Sequence, residues 1–397
     1  MRWVIVAVAV VVLGVGAERA AGAGPATLPA FTAKGLPASP DFFPVAVWLQ
    51  APRNAAKFKA AGINLYVALY RGPTEAQLDE LEKVGMPVVC EPTEVGLRNK
   101  HRKVILGWMH GDEPDNAQSR GPGKGYGPPV LPATIVEGYE RIRAADPTRP
   151  VLLNLGQGVA WDGWYGRGVR TNHPEDYPLY AKGCDIASFD IYPAAHDHKD
   201  VYGKLWFVPQ GVDRLRKAVN DEKPVWSCIE TTRIGHAERG PTPRDVRAEV
   251  WMALVHGARG ILYFNHQFKP KFIEAGMLAD AEMTAAVTAI NEQIRVLAPV
   301  LNSPTLPMPG AGGVTSSDAQ KAPIDAMFKR HGGATFIFAV GMRDVAATGT
   351  FAVAGLKGAA RVEVIGEGRT IEARDGRWED RFEGYGVHLY RVPAAGE

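Results

Sequence analysis

The stretch Val104-Ile-Leu-Gly-Trp-Met-His-Gly-Asp-Glu-Pro114 joins an apolar run to two acidic residues and a proline. An apolar run of this kind is typical of a strand that is buried on both faces in a parallel sheet. A second stretch, Pro224-Val-Trp-Ser-Cys-Ile-Glu-Thr-Thr232, has the same form and carries Glu230 at its end. Both stretches therefore predict buried strands that end in a carboxylate.

Strand-like and helix-like segments alternate from about residue 40 to residue 300. Alternation favours parallel strands with crossover helices, and eight strands predict a (β/α)8 TIM barrel of the α/β class. An open doubly wound sheet is the alternative, but no glycine-rich dinucleotide turn follows the first strand. The predicted strands are residues 43–49, 63–70, 86–91, 103–110, 150–156, 185–192, 224–230 and 260–267.

Beyond residue 300 the pattern changes. Residues 302–313 are rich in proline and glycine, and short β-prone segments with turn signals follow them. A small antiparallel, β-sandwich-like domain is therefore expected at the carboxyl terminus. The predicted units are a signal peptide at 1–23, an N-terminal linker at 24–39, the catalytic barrel at 40–301, a connector at 302–320 and the β domain at 321–397.

The amino terminus has the form of a secretory signal. Arg2 precedes an apolar stretch at residues 3–16, and small residues continue to Ala23. An uncleaved anchor is the alternative, but the stretch is shorter than the roughly 20 residues of a spanning helix. We expect a secreted or periplasmic protein without stable membrane insertion after cleavage. Its three cysteines, an odd number, are expected to be buried free thiols.

The charge balance argues against several classes of partner. Lys and Arg number 45, Asp and Glu number 43, and the formal net charge is +2. Such a chain gives no indication of nucleic-acid binding or of attraction to an acidic membrane. It contains no phosphate-binding glycine-rich loop and no Gly-x-Ser-x-Gly motif, and no cofactor is expected. The oligomeric state stays open.

Side-chain parity predicts which polar groups face the barrel axis. In residues 185–192, directing Ala187 and Phe189 toward the helices leaves Asp190 and Tyr192 facing inward. The same choice on the other strands brings more polar and aromatic groups to one rim. The residues expected to face the axis are Tyr66, Tyr70, Asn154, Asp190, Tyr192, Tyr263 and Asn265.

Two carboxyl groups at one rim have the composition needed to cleave a glycosidic bond. One carboxylic acid protonates the leaving oxygen, and an ionised carboxylate attacks the anomeric carbon or activates water. Different pKa values are required, which burial and neighbouring charges provide. Glu113 lies beside Asp112, which favours a protonated acid, and Glu230 is expected to accept a hydrogen bond from Tyr192.

The order and position of these residues resemble clan A of the retaining glycoside hydrolases. The resemblance covers about residues 40–300 and rests on Asp112-Glu113-Pro114 after the fourth predicted strand and Glu230 at the end of the seventh. It implies that Glu113 is the acid/base, that Glu230 is the nucleophile and that Tyr192 orients the nucleophile. Asp112 stands where the family usually has asparagine, which indicates a diverged or uncharacterised family.

Further substrate contacts are expected from rim residues, because pyranose rings stack on aromatic faces. Trp48 and Trp161 provide such faces, and so do Trp164, Tyr165 and Trp206. Glu91, at the end of the third strand, is expected to bind a sugar hydroxyl or to tune Glu113. The candidate substrate-binding residues are Asp112, Tyr192, Asp190, Asn154, Trp48, Tyr70, Glu91, Asn265 and Trp161.

Two other functions fit parts of the sequence. His196-Asp-His198 contains metal-ligand types, but the first strand lacks the His-x-His pair of metal-dependent barrels, so no metal is expected. A barrel that binds carbohydrate without turnover is the second alternative. The expected function is an exported glycoside hydrolase with a poly- or oligosaccharide substrate, whose sugar and anomeric configuration the sequence leaves open.

Overall fold

The structure is a computed structural model that describes residues 28–393. The predicted signal peptide lies outside the described residues, as do the start of the predicted linker and the last four residues of the chain.

Within residues 28–393, eight parallel strands form a closed barrel. Each strand pairs with the next, and the last returns to the first through the register of Val45 with Ile261. The predicted (β/α)8 barrel is thereby confirmed. The strands are β1 (Val45–Trp48), β2 (Leu65–Val67), β3 (Val88–Cys90), β4 (Ile105–Met109), β5 (Val151–Leu155), β6 (Ile186–Phe189), β7 (Val225–Glu230) and β8 (Gly260–Phe264).

Helices connect the strands and begin where the sequence supplies caps. Thr74 and Thr242 each form a capping box with the residue three positions later, which satisfies N–H groups that the first turn leaves unpaired. The helices are α1 (Ala55–Ala60), α2 (Glu75–Val84), α3 (Glu94–Arg98), α4 (Pro132–Ala145), α5 (Tyr177–Tyr180), α6 (Phe207–Ala218), α7 (Pro243–Val255) and α8 (Ala281–Leu301).

The barrel interior is filled by apolar side chains drawn from every strand. The predicted orientation of alternate side chains is confirmed for β6. Ala187 and Phe189 pack with the helix-side core, and Asp190 lines a cleft above the strand. Below the rim, a closed set of side chains leaves no channel for solvent. Its members include Ala46, Leu65, Val89, Leu106, Leu152, Ile186, Trp226 and Leu262.

The predicted orientation of alternate side chains is wrong for β2 and β8. Leu65 and Leu262 occupy the interior, whereas Tyr66 and Tyr263, which were expected to face the axis, belong to the helix-side core. There the Tyr263 hydroxyl donates to Asn291 Oδ1 of α8 at 2.9 Å. A buried phenol needs a hydrogen-bond partner, and the polar side chain on α8 supplies one that the apolar barrel interior lacks.

Among the described residues after 311, eight strands form one antiparallel sheet. They are β9 (Gly312–Ser316), β10 (Ile324–His331), β11 (Ala334–Gly341), β12 (Ala347–Val353), β13 (Ala359–Val364), β14 (Arg369–Arg374), β15 (Arg377–Phe382) and β16 (Val387–Val392). Their order is β10-β11-β16-β13-β14-β15-β12-β9. The predicted antiparallel β domain is confirmed.

Aromatic contacts join the β domain and the segment before β1 to the barrel. Phe338 of β11 lies 5.4 Å from Trp251 of α7 between ring centroids, which joins the β domain to the helix layer. Phe31, in the segment before β1, lies 5.9 Å from Trp226 of β7 between ring centroids. The segment that was predicted as a linker therefore packs against the barrel.

The three cysteines, Cys90, Cys184 and Cys228, are free and buried, as expected. Burial raises the pKa of Cys90 and of Cys184 to about 12, so both thiols stay protonated near neutral pH. In the described part of the chain, no helix combines the length and apolar character that crossing a membrane requires.

An ionic contact links the barrel to the β domain. His256, which follows α7, contacts Asp213 Oδ2 of α6 through Nδ1 at 2.9 Å and Asp325 Oδ2 of β10 through Nε2 at 3.1 Å. Burial alone lowers the pKa of His256, but the hydrogen bonds to the two carboxylates outweigh it and raise that pKa to about 9. The imidazolium therefore holds three elements together near neutral pH.

We predict that His256→Gln lowers the unfolding free energy by roughly 2 kcal/mol at pH 6. The pKa of His256 is about 9 in the folded state and 6.5 in the unfolded state. The contribution of its ion pairs to the unfolding free energy is therefore fully present below pH 6.5 and is lost as pH rises through 9. Thermal unfolding at pH 6 and pH 10 measures the difference, with the exposed His331→Gln as control. An equal loss at both pH values would contradict the ionic role.

Candidate active site

A cleft of about 1040 Å³ opens at the carboxyl ends of the barrel strands. This rim is where barrel enzymes hold their reacting groups, because loops from every strand meet there. The structure brings most of the expected rim residues together. Trp48, Tyr70, Asp112, Glu113, Asp190 and Tyr192 all line the cleft.

Glu113 follows β4 in a strained conformation. Its φ angle is +42°, and Leu49, which follows β1 on the same cleft, has φ of +48°. Left-handed backbone at a non-glycine residue costs about 1–3 kcal/mol and persists where the surroundings enforce it, often at functional sites. Below it, Trp108 of β4 donates from Nε1 to Asp146 Oδ2 at 3.0 Å, which anchors the strand.

Asp190, two residues from Tyr192, forms the centre of a carboxyl pair. Its carboxyl group lines the same cleft as that of Glu113, and no donor among the described residues reaches its buried Oδ1. The Tyr192 hydroxyl donates to Asp190 Oδ2 at 2.9 Å. Burial, reinforced by the negative charges of Glu113 and Asp112, raises the pKa of Asp190 well above its usual range. The raised pKa favours the protonated form of Asp190.

Asp112 is held by the layer of polar side chains beneath the cleft. Asn154 donates from Nδ2 to Asp112 Oδ1 at 2.9 Å, and the Ser188 hydroxyl donates to Asn154 Oδ1 at 2.8 Å. The side chain is accessible from the cleft, but the low-polarity walls and the Glu113 carboxylate raise the pKa of Asp112 to about 7. Asn154 thus supports the cleft from below.

Asp115 is a residue that the sequence gave no reason to single out. It is fully buried, and its Oδ1 accepts a hydrogen bond from the Gly156 amide at 2.8 Å. Its Oδ2 accepts from the Tyr177 hydroxyl at 3.3 Å and lies 3.9 Å from Arg167 Nε. These contacts tie the loop that carries Glu113 to the loop after β5.

Glu230 ends β7, as expected, but the structure does not bring it to the cleft. It is fully buried, and its two oxygens accept hydrogen bonds from the Ala194 and Ala195 amides, each at 2.6 Å. Tyr192, its expected partner, donates to Asp190 instead. The pairing of Glu113 and Glu230 across one cleft is therefore not the arrangement observed, because the amides after β6 hold the Glu230 carboxylate below the surface.

Glu230 shares its burial with Glu249 of α7. Burial raises the pKa of both carboxyl groups, and the negative charge of Glu230 raises that of Glu249 further. The amides bonded to Glu230 favour its ionised form, whereas neither oxygen of Glu249 meets a donor among the described residues, so Glu249 is the group that favours its protonated form. This pair lies behind the loop that carries Asp190 and Tyr192.

Three other expected residues lie away from the cleft wall. Glu91 lines a separate cavity beside His110 and Arg141. Asn265 is buried, and its Oδ1 accepts from the Thr231 hydroxyl at 2.5 Å. Trp161 packs 4.8 Å from His198 between ring centroids.

The aromatic residues after β8 are the main feature that the sequence analysis missed. Phe264, His266, Phe268 and Phe272 line the cleft, as does Trp164. Their spacing in Tyr263-Phe-Asn-His-Gln-Phe268 alternates aromatic and polar residues, and this alternation was the available signal.

Across residues 28–393, no group of three or more His, Cys, Asp or Glu side chains has an arrangement that suits a metal ion. His196 instead contacts Gln157 Oε1 through Nε2 at 2.8 Å.

Comparison with solved structures establishes the fold. A variant of AmyP crystallised with maltotriose has a TM-score of 0.52 and 9% sequence identity, over 89% of this chain and 97% of AmyP. The maltogenic α-amylase AmyB from Thermotoga neapolitana has a TM-score of 0.49 and 9% identity, over 89% of this chain and 99% of AmyB. No protein-family model and no curated protein matches the chain.

A glycoside hydrolase family 30 xylanase, Xyn30A from Clostridium acetobutylicum, is also similar, with a TM-score of 0.47 and 12% identity over 89% of this chain and 96% of the xylanase. Glycoside hydrolases are thus among the structural neighbours of this chain. At such low identities the likeness concerns the architecture, a barrel followed by an antiparallel sheet.

We predict effects of different size for two substitutions in the buried pair. Glu230→Gln lowers the unfolding free energy by about 2–4 kcal/mol, because the amide NH2 faces a backbone N–H donor. Glu249→Gln costs less than about 1 kcal/mol at pH 5, since its NH2 still donates to Glu230.

The pH dependence of Glu249→Gln separates the two carboxyl groups further. The folded pKa of Glu249 lies above the unfolded value of 4.5, so wild-type stability falls as pH rises above 4.5. The variant lacks this loss and becomes relatively more stable toward pH 8. Denaturant unfolding of both variants tests the assignment, and a larger loss for Glu249→Gln than for Glu230→Gln would reverse it.

Proposed function

We propose that this protein is an exported glycoside hydrolase that cleaves O-glycosidic bonds of a poly- or oligosaccharide with two carboxyl groups. The observation that carries the proposal is that Glu113 and the buried Asp190, whose Oδ1 meets no hydrogen-bond donor among the described residues, line the same rim cleft. The raised pKa of Asp190 favours a protonated acid beside a second carboxyl group, which is the combination that glycoside cleavage needs.

The geometry favours roles that differ from those implied by the sequence resemblance. Asp190, whose pKa is raised, donates its proton to the leaving oxygen while Glu113 attacks the anomeric carbon. The departing sugar keeps that proton, and a glycosyl ester remains on Glu113. Asp190 then takes a proton from a water molecule, whose oxygen attacks the anomeric carbon, and the bond from that carbon to the Glu113 carboxylate breaks.

We propose retention of configuration, because the two carboxyl groups are neighbours on one cleft. Inversion requires about 6.5–9.5 Å between the groups to admit water, whereas retention requires about 5–5.5 Å. Glu113 and Asp190 line the same cleft, and the negative charge of Glu113 raises the pKa of Asp190. AmyP, which shares the fold, was crystallised with maltotriose, and this supports a carbohydrate ligand for the cleft.

We predict that Glu113→Gln and Asp190→Asn each lower kcat by roughly 10²–10⁴-fold on the best substrate of a panel of aryl glycosides and polysaccharides. Asp200→Asn, at an exposed aspartate outside the cleft, is the matched control and retains activity. Wild type that binds glycans without cleaving any would favour the alternative of a carbohydrate-binding barrel.

A trapping experiment distinguishes the two possible nucleophiles. A 2-deoxy-2-fluoro glycoside slows hydrolysis of the ester and leaves the sugar on the attacking carboxylate, which peptide mass spectrometry identifies. We expect the label on Glu113. A label on Glu230 would restore the pairing implied by the resemblance, and an inverted product by NMR would exclude a covalent intermediate.

We predict that Tyr192→Phe moves the alkaline limb of the pH–kcat profile to higher pH. The Tyr192 hydroxyl donates to Asp190 and thereby lowers the pKa of that carboxyl group, so its loss keeps Asp190 protonated further into the alkaline range. Steady-state kinetics between pH 5 and pH 10 measure the limb. If the alkaline limb of the pH–kcat profile stays in place in Tyr192→Phe, Asp190 is not the general acid.

Export is proposed from residues 1–23. We expect N-terminal sequencing of the protein from a secreting bacterial host to show a mature chain that begins near residue 24, in the medium or periplasm. Retention of Met1 on membrane-bound protein would favour the uncleaved anchor.

A further inference from the structure

A continuous series of aromatic rings leads from the carboxyl pair to the outer rim. Tyr192, which bonds Asp190, lies 5.0 Å from Phe264 between ring centroids, and Phe264 lies 6.1 Å from Phe268. Phe268 lies 5.8 Å from Phe272, which stacks on His266 at 5.9 Å with an interplanar angle of 15°. We call Phe264, His266, Phe268 and Phe272 the aromatic ladder.

The outer residues of the aromatic ladder, Phe268 and Phe272, are exposed to solvent although they are large and apolar. Phe268 is 46% exposed, Phe272 is 61% exposed, and Tyr70 on the same cleft is 64% exposed. Grouped apolar rings on a surface commonly mark a binding site, because leaving them hydrated is unfavourable. Their position in one cleft with Asp190 and Glu113 makes a ligand of that cleft their partner.

The loop that carries the outer rungs is held in place by the β1 loop. Glu274 accepts a hydrogen bond from the Ala51 amide through Oε1 at 2.8 Å, and Arg53 pairs with its other oxygen. Gln50 Nε2 donates to the Glu274 carbonyl oxygen at 2.9 Å. A surface fixed before binding loses less conformational entropy on complex formation.

The charge of the cleft restricts what the ladder can bind. Of the described residues on its walls, five are acidic: Glu80, Asp112, Glu113, Asp190 and Glu274. Arg53 is the basic one among them, and it is already paired with Glu274. A ligand with carboxylate or sulfate groups would meet repulsion from these walls around the reacting bond, since the two exposed lysines of the ladder loop, Lys269 and Lys271, are not part of the cleft lining.

We propose that the aromatic ladder binds the distal units of an uncharged oligosaccharide chain whose reacting bond lies between Glu113 and Asp190. This inference rests on the glycoside hydrolase function proposed above and adds the substrate class. The cleft volume of 1040 Å³ reaches the upper end of the roughly 300–1000 Å³ of small-molecule pockets, so it accommodates several sugar rings. Aromatic faces at successive positions then stack successive rings.

The test measures binding separately from cleavage. Titration calorimetry uses the double variant Glu113→Gln/Asp190→Asn with α-1,4-glucan and β-1,4-xylan oligosaccharides of two to six units, and with oligogalacturonate as the anionic probe. We expect affinity for one neutral series to rise with chain length and no binding of oligogalacturonate. Phe268→Ala and Phe272→Ala, added to this background, should weaken the longest chains roughly five- to tenfold and leave the shortest unchanged.

Two control variants accompany the ladder substitutions. Tyr126→Ala removes a ring that is 72% exposed but does not line the cleft, and it should leave affinity unchanged. Phe272→Trp keeps an aromatic face and should retain the chain-length dependence. Thermal unfolding of each variant confirms that the fold is intact.

The outcomes separate this inference from the proposed function. Three results would overturn the inference. The ladder variants could bind every chain length as tightly as the background variant does, oligogalacturonate could bind as tightly as the neutral chains, or neither neutral series could bind. Ladder-dependent binding combined with wild type that cleaves no glycan would support the ladder and defeat the glycoside hydrolase. Cleavage of a glycan by wild type, combined with affinities that do not depend on the ladder, would support the glycoside hydrolase and defeat the ladder inference.

Discussion

Closure of the barrel is the constraint on which the rest of this structure depends. The pairing of β8 with β1 removes free strand edges and brings the carboxyl ends of all eight strands to one rim. Residues far apart in sequence then become neighbours, as when Gln50 Nε2 approaches His266 Nε2 to 3.3 Å. An open sheet would place Glu113, from β4, and the ladder, from β8, on separate parts of a surface. The walls of the cleft exist because the sheet closes.

Within that rim, the carboxyl groups of the cleft have different pKa values because their hydrogen bonding and burial differ. Asp112, Glu113 and Asp190 cannot all be ionised at close range without strong repulsion. Asn154 donates to Asp112 and Tyr192 donates to Asp190, but burial affects Asp190 most strongly. The proton therefore settles on the most deeply buried member. Two carboxyl groups of similar intrinsic acidity thereby acquire different protonation states in one cleft.

The sequence predicted the eight strands well because parallel barrel strands are continuous apolar runs bounded by helical segments. It also identified Glu113, Asp112, Asp190 and Tyr192 as rim residues. It did not predict the side of the sheet that Tyr66 and Tyr263 face, because both sides of a barrel strand are apolar and hydrophobicity does not distinguish them. The ladder was missed because its position depends on the path of a loop, which hydrogen bonds to Glu274 determine.

Glu230 illustrates why a carboxylate at a strand end does not identify its own role. Such a group can face the cleft and react, or it can accept amides from the neighbouring loop and support it. Both oxygens of Glu230 are occupied by the Ala194 and Ala195 amides, which follow Tyr192 by two and three residues. Movement of Glu230 would therefore release the segment that positions Tyr192 and, through its hydroxyl, Asp190. A buried carboxylate with two strong donors contributes to the site as a support, while the more exposed Glu113, held at positive φ, retains the freedom to meet a substrate.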